Sequence, residues 1–276
     1  MLADVVGCLS CPHCGGGLAL TGRVLRCAAG HSFDLARQGY VNLLTGRTVR
    51  GDTPAMVAAR VAFLDGGHYA PITAALAAAA RAVTAPGCIL DLGAGTGHHL
   101  AAVLDALPGR AGLALDASPS AARAAARAHP RSGAVVCDAW RRLPVCDGTA
   151  AVVLDVFAPR QGAEIARMLH PAGVLVVVVP GTRHLAELVG TLDLITVDPA
   201  KQERLERTLG SPLQRLRSAE LEFPMELDHA AVSALVGMGP SARHADAGVL
   251  HKRIAAMPEP VTVTASIAVS TWLRTP

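Results

Sequence analysis

A glycine at every second position of one short segment restricts the fold of this chain more than any other feature. Residues 89–98 read Ile-Leu-Asp-Leu-Gly-Ala-Gly-Thr-Gly-His, so an apolar run with an acidic tip leads into Gly93, Gly95 and Gly97, and an apparent helix follows. Glycine permits positive φ angles and lets backbone N–H groups approach a ligand closely. The GxGxG spacing differs from the GxGxxG fingerprint of dinucleotide-binding enzymes. It predicts a ligand-binding loop between a strand and a helix.

Short β-branched runs alternate with alanine-rich helical runs from about Pro86 onward. The seven runs that predict strands are 88–92, 111–116, 134–138, 151–156, 174–180, 220–227 and 261–272. The runs that predict helices are 120–129, 162–169 and a charged one at 201–217. Strands that alternate with helices form a doubly wound, mostly parallel sheet, to which the last two strands add an antiparallel edge. We therefore predict an α/β fold with a Rossmann-like, seven-stranded sheet.

The first forty-five residues differ from the rest because they are rich in cysteine, glycine and polar turn formers. Residues 56–64 and 71–83 look helical and join this part to the α/β part. We therefore predict a small module at 1–45, a helical connector at 46–84 and a large domain at 85–276. With 51% hydrophobic and 17% charged residues, the chain has ample apolar material for a core and no sign of global disorder.

Four residues of the first module have the spacing of a metal site. Cys11 and Cys14 form a CxxC pair, Cys27 follows after twelve residues, and His31 follows after three more. Thiolates and imidazole at this spacing suit a tetrahedral zinc ion. Four protein ligands leave no open coordination position, so we predict a structural Zn²⁺ in a zinc-ribbon-like module.

Two further residues of this module are alternative ligands, and the wider use of cysteine indicates a compartment. Cys8 makes a second CxxC pair with Cys11, and His13 lies inside the first pair, so the spacing leaves open whether either replaces a ligand. The chain begins without the basic and apolar segments of a secretory signal, and its apolar runs are too short to span a bilayer. We expect a cytoplasmic protein with no membrane partner, in which the seven cysteines are thiols or metal ligands.

Three predicted strands end at acidic residues, Asp91, Asp116 and Asp138. Together with the glycine loop, this arrangement resembles motif I of class I methyltransferases, which bind S-adenosylmethionine. We expect the carboxylate of Asp116 to accept hydrogen bonds from ribose hydroxyls, and Asp138 to pair with the adenine amino group. The residues predicted on this basis to bind the cofactor are Asp91, Gly93, Gly95, Gly97, Asp116 and Asp138.

The zinc spacing and several segments that follow it carry a more specific resemblance. The segments are 31–34, 39–44, 63–65, 67–71, 158–159 and 180–188, together with Asp52, Met56 and Arg60. They resemble the RlmA-type 23S rRNA (guanine-N1)-methyltransferases, whose actinomycete members include tylosin-resistance enzymes. The resemblance implies a zinc module that helps to recognise RNA. It also implies cofactor contacts at Tyr69, Gly97, His98 and His184.

The same resemblance implies a substrate, a guanine in a hairpin of 23S rRNA near the macrolide-binding exit tunnel. Guanine N1 carries a proton that must leave before or during methyl transfer, so a general base is expected. Asp155, at the end of the fourth predicted strand, is our candidate for the catalytic base. Asp34, Asp65 and His184 remain alternatives, because an acidic residue at a strand end also caps helices.

Basic residues are available for RNA phosphates, although the net charge of +3 is too small to indicate RNA by itself. The candidates are Arg47, Arg50, Arg60, Arg141, Arg142 and the 201–217 stretch, which a solvated helix face explains equally well. The oligomeric state is left open, with a homodimer that shares a long RNA groove as one alternative. The competing functions are a methyltransferase for a small molecule or another RNA, which would not need the zinc module, and a non-catalytic zinc-ribbon protein, which would not need the glycine loop.

Overall fold

The computed structural model describes residues 2–46, 51–196, 198, 200–243 and 246–275. Arg47 and Arg50, two of the predicted phosphate contacts, lie outside the described residues. The strands are β1 (Leu18–Thr21), β2 (Val24–Cys27), β3 (Ser32–Asp34), β4 (Val41–Asn42), β5 (Cys88–Leu92), β6 (Gly112–Asp116), β7 (Ser132–Val136), β8 (Ala150–Val156), β9 (Leu169–Pro180), β10 (Leu213–Leu227) and β11 (Val261–Arg274).

The large sheet has the order β10-β11-β9-β8-β5-β6-β7-β4, and β1, β2 and β3 form a separate antiparallel sheet. Strand β11 is antiparallel to both of its neighbours, whereas β5 to β9 and β4 run parallel. The predicted fold is confirmed. The seven predicted strands are present, and the short β4 adds an eighth because two residues after the small sheet pair with β7.

Helices pack on both faces of the large sheet. Their bounds are α1 (Pro54–Asp65), α2 (Ala70–Arg81), α3 (His98–Ala106), α4 (Pro119–Ala128), α5 (Gly162–Met168), α6 (Ala186–Leu192), α7 (Lys201–Leu209), α8 (His229–Gly237) and α9 (Ala247–Ala255). Strands β5 and β7 are buried along their whole length, as expected for parallel strands covered on both faces. None of the helices in the described ranges has the length and apolar character needed to cross a membrane.

One predicted element differs in type. The stretch 201–217 was predicted as a single charged helix, but α7 ends at Leu209 and β10 begins at Leu213. The side chains of this part of β10 are mostly exposed, so their polar pattern resembles that of a solvated helix. Pairing with β11 along its full length determines the strand conformation instead.

The N-terminal module packs directly on the large sheet. A 3₁₀ helix, Leu2–Cys8, buries Leu2 and Val5 against β7. A Cβ atom at Gly133 would lie 2.8 Å from Val5 Cγ2, so the strand has room for this helix only because it carries glycine there. Leu9 also forms a bridge with Val145, beyond β7. The zinc-ligand region is therefore fixed to the same sheet that carries the glycine loop.

Candidate active site

A cavity of about 620 Å³ opens over the carboxyl ends of the central strands. Its size is within the range of small-molecule and cofactor sites. The predicted cofactor residues that line it are Tyr69, Asp91, Gly93, Gly95, His98, Asp116 and His184. In an open parallel sheet, ligands bind at the carboxyl ends of the strands. The binding position is where consecutive strands are added first on one side of a central strand and then on its other side. Here that position is β5, between β6 and β8.

The glycine loop forms the floor of the cavity. Gly93 and Gly95 have φ angles of 62° and 53°, a region that residues with a side chain rarely adopt. A Cβ atom at Gly95 would lie 2.8 Å from Arg60 Nη1, and one at Gly93 would lie 2.7 Å from Ala158 Cβ. Glycine is therefore required at each position for two reasons. It permits the positive φ angle, and it leaves room for the nearby residue, Arg60 or Ala158.

The carboxylate of Asp116 holds the loop in place from the end of β6. Its Oδ2 accepts a hydrogen bond from the Gly95 N–H at 2.8 Å, and its Oδ1 accepts one from the Ser118 N–H at 2.8 Å. Burial raises the pKa of Asp116, and these two backbone donors act in the opposite direction. For Asp91, burial and the nearby charges of Asp155 and Asp116 raise the pKa well above its ordinary value.

A basic residue of the connector closes one side of the cavity. Arg60 Nη1 lies 2.7 Å from Asp52 Oδ2, and Arg60 Nη2 donates to the Met238 carbonyl oxygen at 2.9 Å. The Arg60 side chain is 24% exposed, and the residue lines the cavity above Gly95. The guanidinium thus has two protein partners inside the site, and the contact of Arg60 with an RNA phosphate stays a prediction.

Three rings form the opposite wall, those of Tyr69, Phe157 and His184. The Phe157 and His184 ring centroids are 5.6 Å apart, and those of Tyr69 and Phe157 are 6.2 Å apart. The Ser266 N–H donates to His184 Nδ1 at 3.3 Å, which leaves the proton of the neutral imidazole on Nε2. That atom faces the Tyr69 hydroxyl at 3.4 Å. Because burial raises the pKa of Tyr69, its hydroxyl stays protonated and able to donate.

Phe157 was not among the predicted site residues. It is 40% exposed, lines the cavity and has a φ angle of 55°, although it is not glycine. Left-handed backbone at a bulky residue is costly and is concentrated at functional sites. The only signal in the sequence was an aromatic residue two positions after Asp155 in a chain with eight Phe, Tyr and Trp residues. The cavity wall at 238–241 gave no signal at all.

Two predicted cofactor residues do not line the cavity. Gly97 starts α3 with a φ angle of 76° and faces α4, where a Cβ atom would lie 3.0 Å from Ala125 Cα. Asp138 lies two residues beyond the end of β7, although its neighbours Cys137 and Ala139 do line the cavity. Its Oδ1 accepts from the Trp140 N–H at 2.9 Å. Both residues lie in loops that flank the cavity, and their contact with the cofactor stays a prediction.

Asp155, the predicted general base, also lies away from the cavity. The residue is fully buried, and its Oδ1 is 2.9 Å from Arg160 Nη2. It is absent from the cavity lining, whereas the next residues, Val156 and Phe157, are part of it. A general base must come within hydrogen-bond reach of the proton it removes. The geometry therefore supports a buried ion pair at this position rather than a base. The alternative His184 does line the cavity.

The four predicted metal ligands meet at one point. The ligand atoms of Cys11, Cys14, Cys27 and His31 all lie within 4.8 Å of one another. Cys14 Sγ is 3.7 Å from Cys27 Sγ, and His31 Nδ1 is 3.3 Å from Cys27 Sγ. A tetrahedron with zinc–sulfur bonds of about 2.3 Å has edges of about 3.7–3.8 Å. The donor set and its spacing therefore fit Zn²⁺.

Two tight turns present these ligands, and neither alternative ligand joins them. Gly15 N–H donates to the Cys11 carbonyl at 2.8 Å, and Gly30 N–H donates to the Cys27 carbonyl at 3.0 Å. The His13 ring stacks on the Phe33 ring, with 5.8 Å between the ring centroids. Among the described residues, His13 is not part of the group of ligand atoms. Cys8 instead hydrogen-bonds to Cys88. The choice that the spacing left open is resolved in favour of the four predicted ligands.

Comparisons with known proteins agree with both parts of the site. Residues 9–47 match the family model of the RlmA N-terminal zinc ribbon, and residues 89–173 match a methyltransferase-domain model. The chain is 51% identical to an inferred 23S rRNA (guanine-N(1)-)-methyltransferase of Micromonospora griseorubida, over 99% of both chains. It is 49% identical to the 23S rRNA (guanine(748)-N(1))-methyltransferase of Streptomyces fradiae, over 97% of both chains.

A solved structure supports the fold alone. The chain resembles one from the complex between the Haloferax volcanii Trm112 methyltransferase activator and a methyltransferase, with a TM-score of 0.50 and 19% identity. The match covers 83% of this chain and 100% of that one. The likeness to solved structures therefore extends to the sheet and its helices, whereas the likeness to the sequence relatives extends over nearly the whole chain.

Proposed function

The chain belongs to the family of RlmA-type 23S rRNA (guanine-N1)-methyltransferases, and from this membership we propose that it methylates N1 of a guanine in a 23S rRNA hairpin near the macrolide-binding exit tunnel. The observation that carries the proposal is the cavity of about 620 Å³ over the glycine loop, with an exposed aromatic ring in its wall. One part of such a cavity holds a cofactor, and the rest admits a flipped base.

The enzyme uses S-adenosylmethionine as methyl donor and a structural zinc ion in its N-terminal module. For the cofactor, we propose contacts from Gly93, Gly95 and Asp116, from His98 at the start of α3, and from Tyr69 and His184 on the opposite wall. Backbone N–H groups of the loop suit a polar ligand, and the Asp116 carboxylate suits ribose hydroxyls. S-adenosylmethionine supplies an activated methyl group, so the chain's own task is to align that group with guanine N1.

The proton on guanine N1 must have an acceptor. Asp155 is buried outside the cavity and neutral His184 already carries a proton on Nε2, so we propose that the N1 proton passes to solvent water at the open side of the cavity. Neutral His184 carries its proton on Nε2, toward Tyr69, because Ser266 N–H donates to Nδ1. In that state the pair donates hydrogen bonds and orients a ligand. A hydrogen-bond donor that faces the base stabilises the negative charge that develops on guanine as N1 loses its proton.

The zinc module contributes to RNA binding in this proposal. None of its described residues, 2–45, lines the cavity. At its end, however, the Thr45 carbonyl accepts a hydrogen bond at 3.2 Å from Nη1 of Arg141, which lies in the loop after β7. Phosphates and an extruded base dominate recognition of RNA hairpins. Because the substrate is ribosomal RNA, we place the enzyme in the cytoplasm.

Transfer of labelled methyl from S-adenosylmethionine to 23S rRNA from a strain that lacks the modification tests the proposal. Methylation at N1 blocks the pairing edge of guanine, so primer extension stops at the modified base. We expect one stop, in the hairpin. Binding of the cofactor without any labelling of 23S rRNA would refute the rRNA assignment and favour a small-molecule methyltransferase.

A role in macrolide resistance is a separate proposal that the actinomycete resemblance supports. The relevant measurement is the growth of a macrolide-sensitive strain that produces the enzyme, on plates with and without tylosin. A catalytically inactive variant in the same vector is the control. Methylation without any rise in the inhibitory tylosin concentration would assign the enzyme a housekeeping role.

A further inference from the structure

The loop between β7 and β8 holds one large aromatic side chain in solvent. Trp140 is 64% exposed, whereas the other tryptophan, Trp272, is 3% exposed. Burying an exposed indole would remove a large apolar surface from water. The indole nevertheless stays exposed, and hydrogen bonds to neighbouring segments hold the backbone of the loop in this position.

Four hydrogen bonds fix the loop. Asp138 Oδ1 accepts from the Trp140 N–H at 2.9 Å, and the Asp138 carbonyl accepts from the Arg141 N–H at 3.1 Å. Gln161 Nε2 donates to the Ala139 carbonyl at 2.7 Å, which ties the loop to the segment that carries Phe157. Arg141 Nη1 donates to the Thr45 carbonyl at 3.2 Å, which ties the loop to the end of the zinc module. The indole is thus held outward in advance of any partner.

The loop lies between the two parts of the proposed RNA site. Ala139 and Leu143, on either side of Trp140, line the cofactor cavity, and Arg141 reaches the zinc module. An RNA strand with one base in the cavity and its flank on the zinc module therefore has to cross Trp140. Every base has a π face, so an exposed indole at that crossing offers a stacking surface without sequence preference.

The charges beside Trp140 favour nucleic acid over a protein partner. The side chain of Arg141 is 53% exposed, whereas that of its partner Asp138 is 11% exposed. Arg142 pairs with Asp147, but both side chains are more than 60% exposed, and such pairs exchange readily for a phosphate. A single ring beside two exposed guanidinium groups lacks the contiguous apolar patch of a protein interface and has the composition of a single-strand binding site.

We propose that Trp140 stacks on a nucleotide that flanks the target guanine, with Arg141 and Arg142 on the adjoining phosphates. This inference rests on the proposed function, because it takes the substrate to be RNA. It assigns a nucleotide subsite outside the cofactor cavity. The subsite increases affinity for RNA and leaves the chemical step unchanged.

The test compares Trp140→Ala and Trp140→Phe with Leu216→Ala, which removes an equally exposed apolar side chain from β10. We expect Trp140→Ala to raise KM for 23S rRNA by about 5- to 100-fold, with kcat and the S-adenosylmethionine KM unchanged. Trp140→Phe retains most of the affinity, and Leu216→Ala all of it. An unchanged RNA KM in Trp140→Ala overturns the inference, provided that the wild-type enzyme methylates the RNA. Absence of wild-type methylation overturns the proposed function instead.

Fluorescence supplies a second readout that does not need turnover. In Trp272→Phe, Trp140 is the single remaining tryptophan, and we expect protein-free 23S rRNA without cofactor to quench its emission. The wild-type chain with acrylamide as a competing quencher serves the same purpose if that variant folds poorly. The RNA subsite is refuted if RNA leaves the emission unchanged. It is also refuted, in favour of a protein interface, if Trp140→Ala loses a dimer but keeps its RNA affinity.

Discussion

Arg60 donates from Nη2 to the carbonyl oxygen of Met238 at 2.9 Å, joining two segments that are 178 residues apart in the chain. The same guanidinium pairs with Asp52 and lies directly over Gly95. One side chain thus links the helical connector, the C-terminal part of the cavity wall and the glycine loop.

Replacing Arg60 by alanine should weaken cofactor binding. The change leaves Asp52 and the Met238 carbonyl without this donor, and charged hydrogen bonds of this kind contribute about 1.5–3 kcal/mol. We expect the Kd for S-adenosylmethionine to rise at least tenfold in calorimetric titration. Arg123→Ala, at an exposed position of α4, is the matched control. Equal affinities in the two variants would show that Arg60 does not organise the site.

The Asp155→Asn variant separates a structural role from a catalytic one. Removing one member of a buried ion pair leaves the other charge uncompensated, at a cost of about 3–5 kcal/mol. We expect the free energy of unfolding in urea to fall by an amount of this order, because Arg160 stays buried. A general base would behave differently, since its loss would lower kcat by orders of magnitude while stability stayed the same.

Zinc removal should affect RNA methylation more than cofactor binding. Cys14→Ser removes one of four ligands, so the module should lose its metal and its fold, whereas the glycine loop lies in the other domain. We expect zinc content to fall from one equivalent to near zero and RNA methylation to be lost, with the Kd for S-adenosylmethionine changed less than threefold. Cys146→Ala removes a thiol outside the cluster and should retain the metal. Full RNA methylation by metal-free enzyme would contradict this role for the module.

Phe157→Gly should retain or increase stability and yet lower activity. Glycine relieves the left-handed strain at a φ angle of 55°, worth roughly 1–3 kcal/mol, although it adds freedom to the unfolded chain. It also removes the exposed ring from the cavity wall. We expect unfolding free energy within about 1 kcal/mol of wild type or above it, with kcat/KM for RNA at least tenfold lower. Phe157→Tyr keeps the ring and should keep most of the activity. A fully active Phe157→Gly enzyme would leave the strained backbone without an explanation.

His99 should make stability depend on pH. Burial, followed by the charges of His98 and Arg60, lowers its pKa to about 3, while Thr73 Oγ1 lies 2.9 Å from its Nδ1. Between about pH 6.5 and pH 3 the unfolded chain binds a proton that the folded one does not, so this contribution to stability is complete above pH 6.5 and is lost as pH falls. We expect a slope of up to about 1.4 kcal/mol per pH unit, smaller in His99→Gln. Identical slopes in both proteins would exclude His99 as the origin.

The features that could be predicted from sequence are those that depend on neighbouring residues. The glycine loop and the zinc knuckles are local, because spacing alone determines which atoms can meet. The strands β5 and β8 were predicted to within a residue, since continuous apolar runs identify buried strands. Knowing that a residue lies at the end of a strand does not, however, tell in which direction its side chain points. Asp155 and Asp138 were therefore assigned to the cavity although neither lines it.

The features that escaped prediction depend on distant parts of the chain. Arg60 could be recognised as a basic residue, but its partner Met238 lies in a segment without any motif. Phe157 is in the cavity wall and has a left-handed backbone, which the residues around it in the sequence do not indicate. The helices α8 and α9 were also not predicted, and each begins at an aspartate whose side chain accepts hydrogen bonds from the first turn.

The packing of Leu2 and Val5 against Gly133 also has a consequence for the order of folding during synthesis. The zinc knuckles close within about twenty residues of each other and can form as soon as His31 has left the ribosome. Leu2 and Val5, in contrast, have no strand to cover them until more than a hundred further residues have been made. At about 5–20 residues per second, that interval lasts of the order of ten seconds. The metal-bound module is thus expected to be the first folded part of the nascent chain, and the surface against which β7 packs is made before that strand exists.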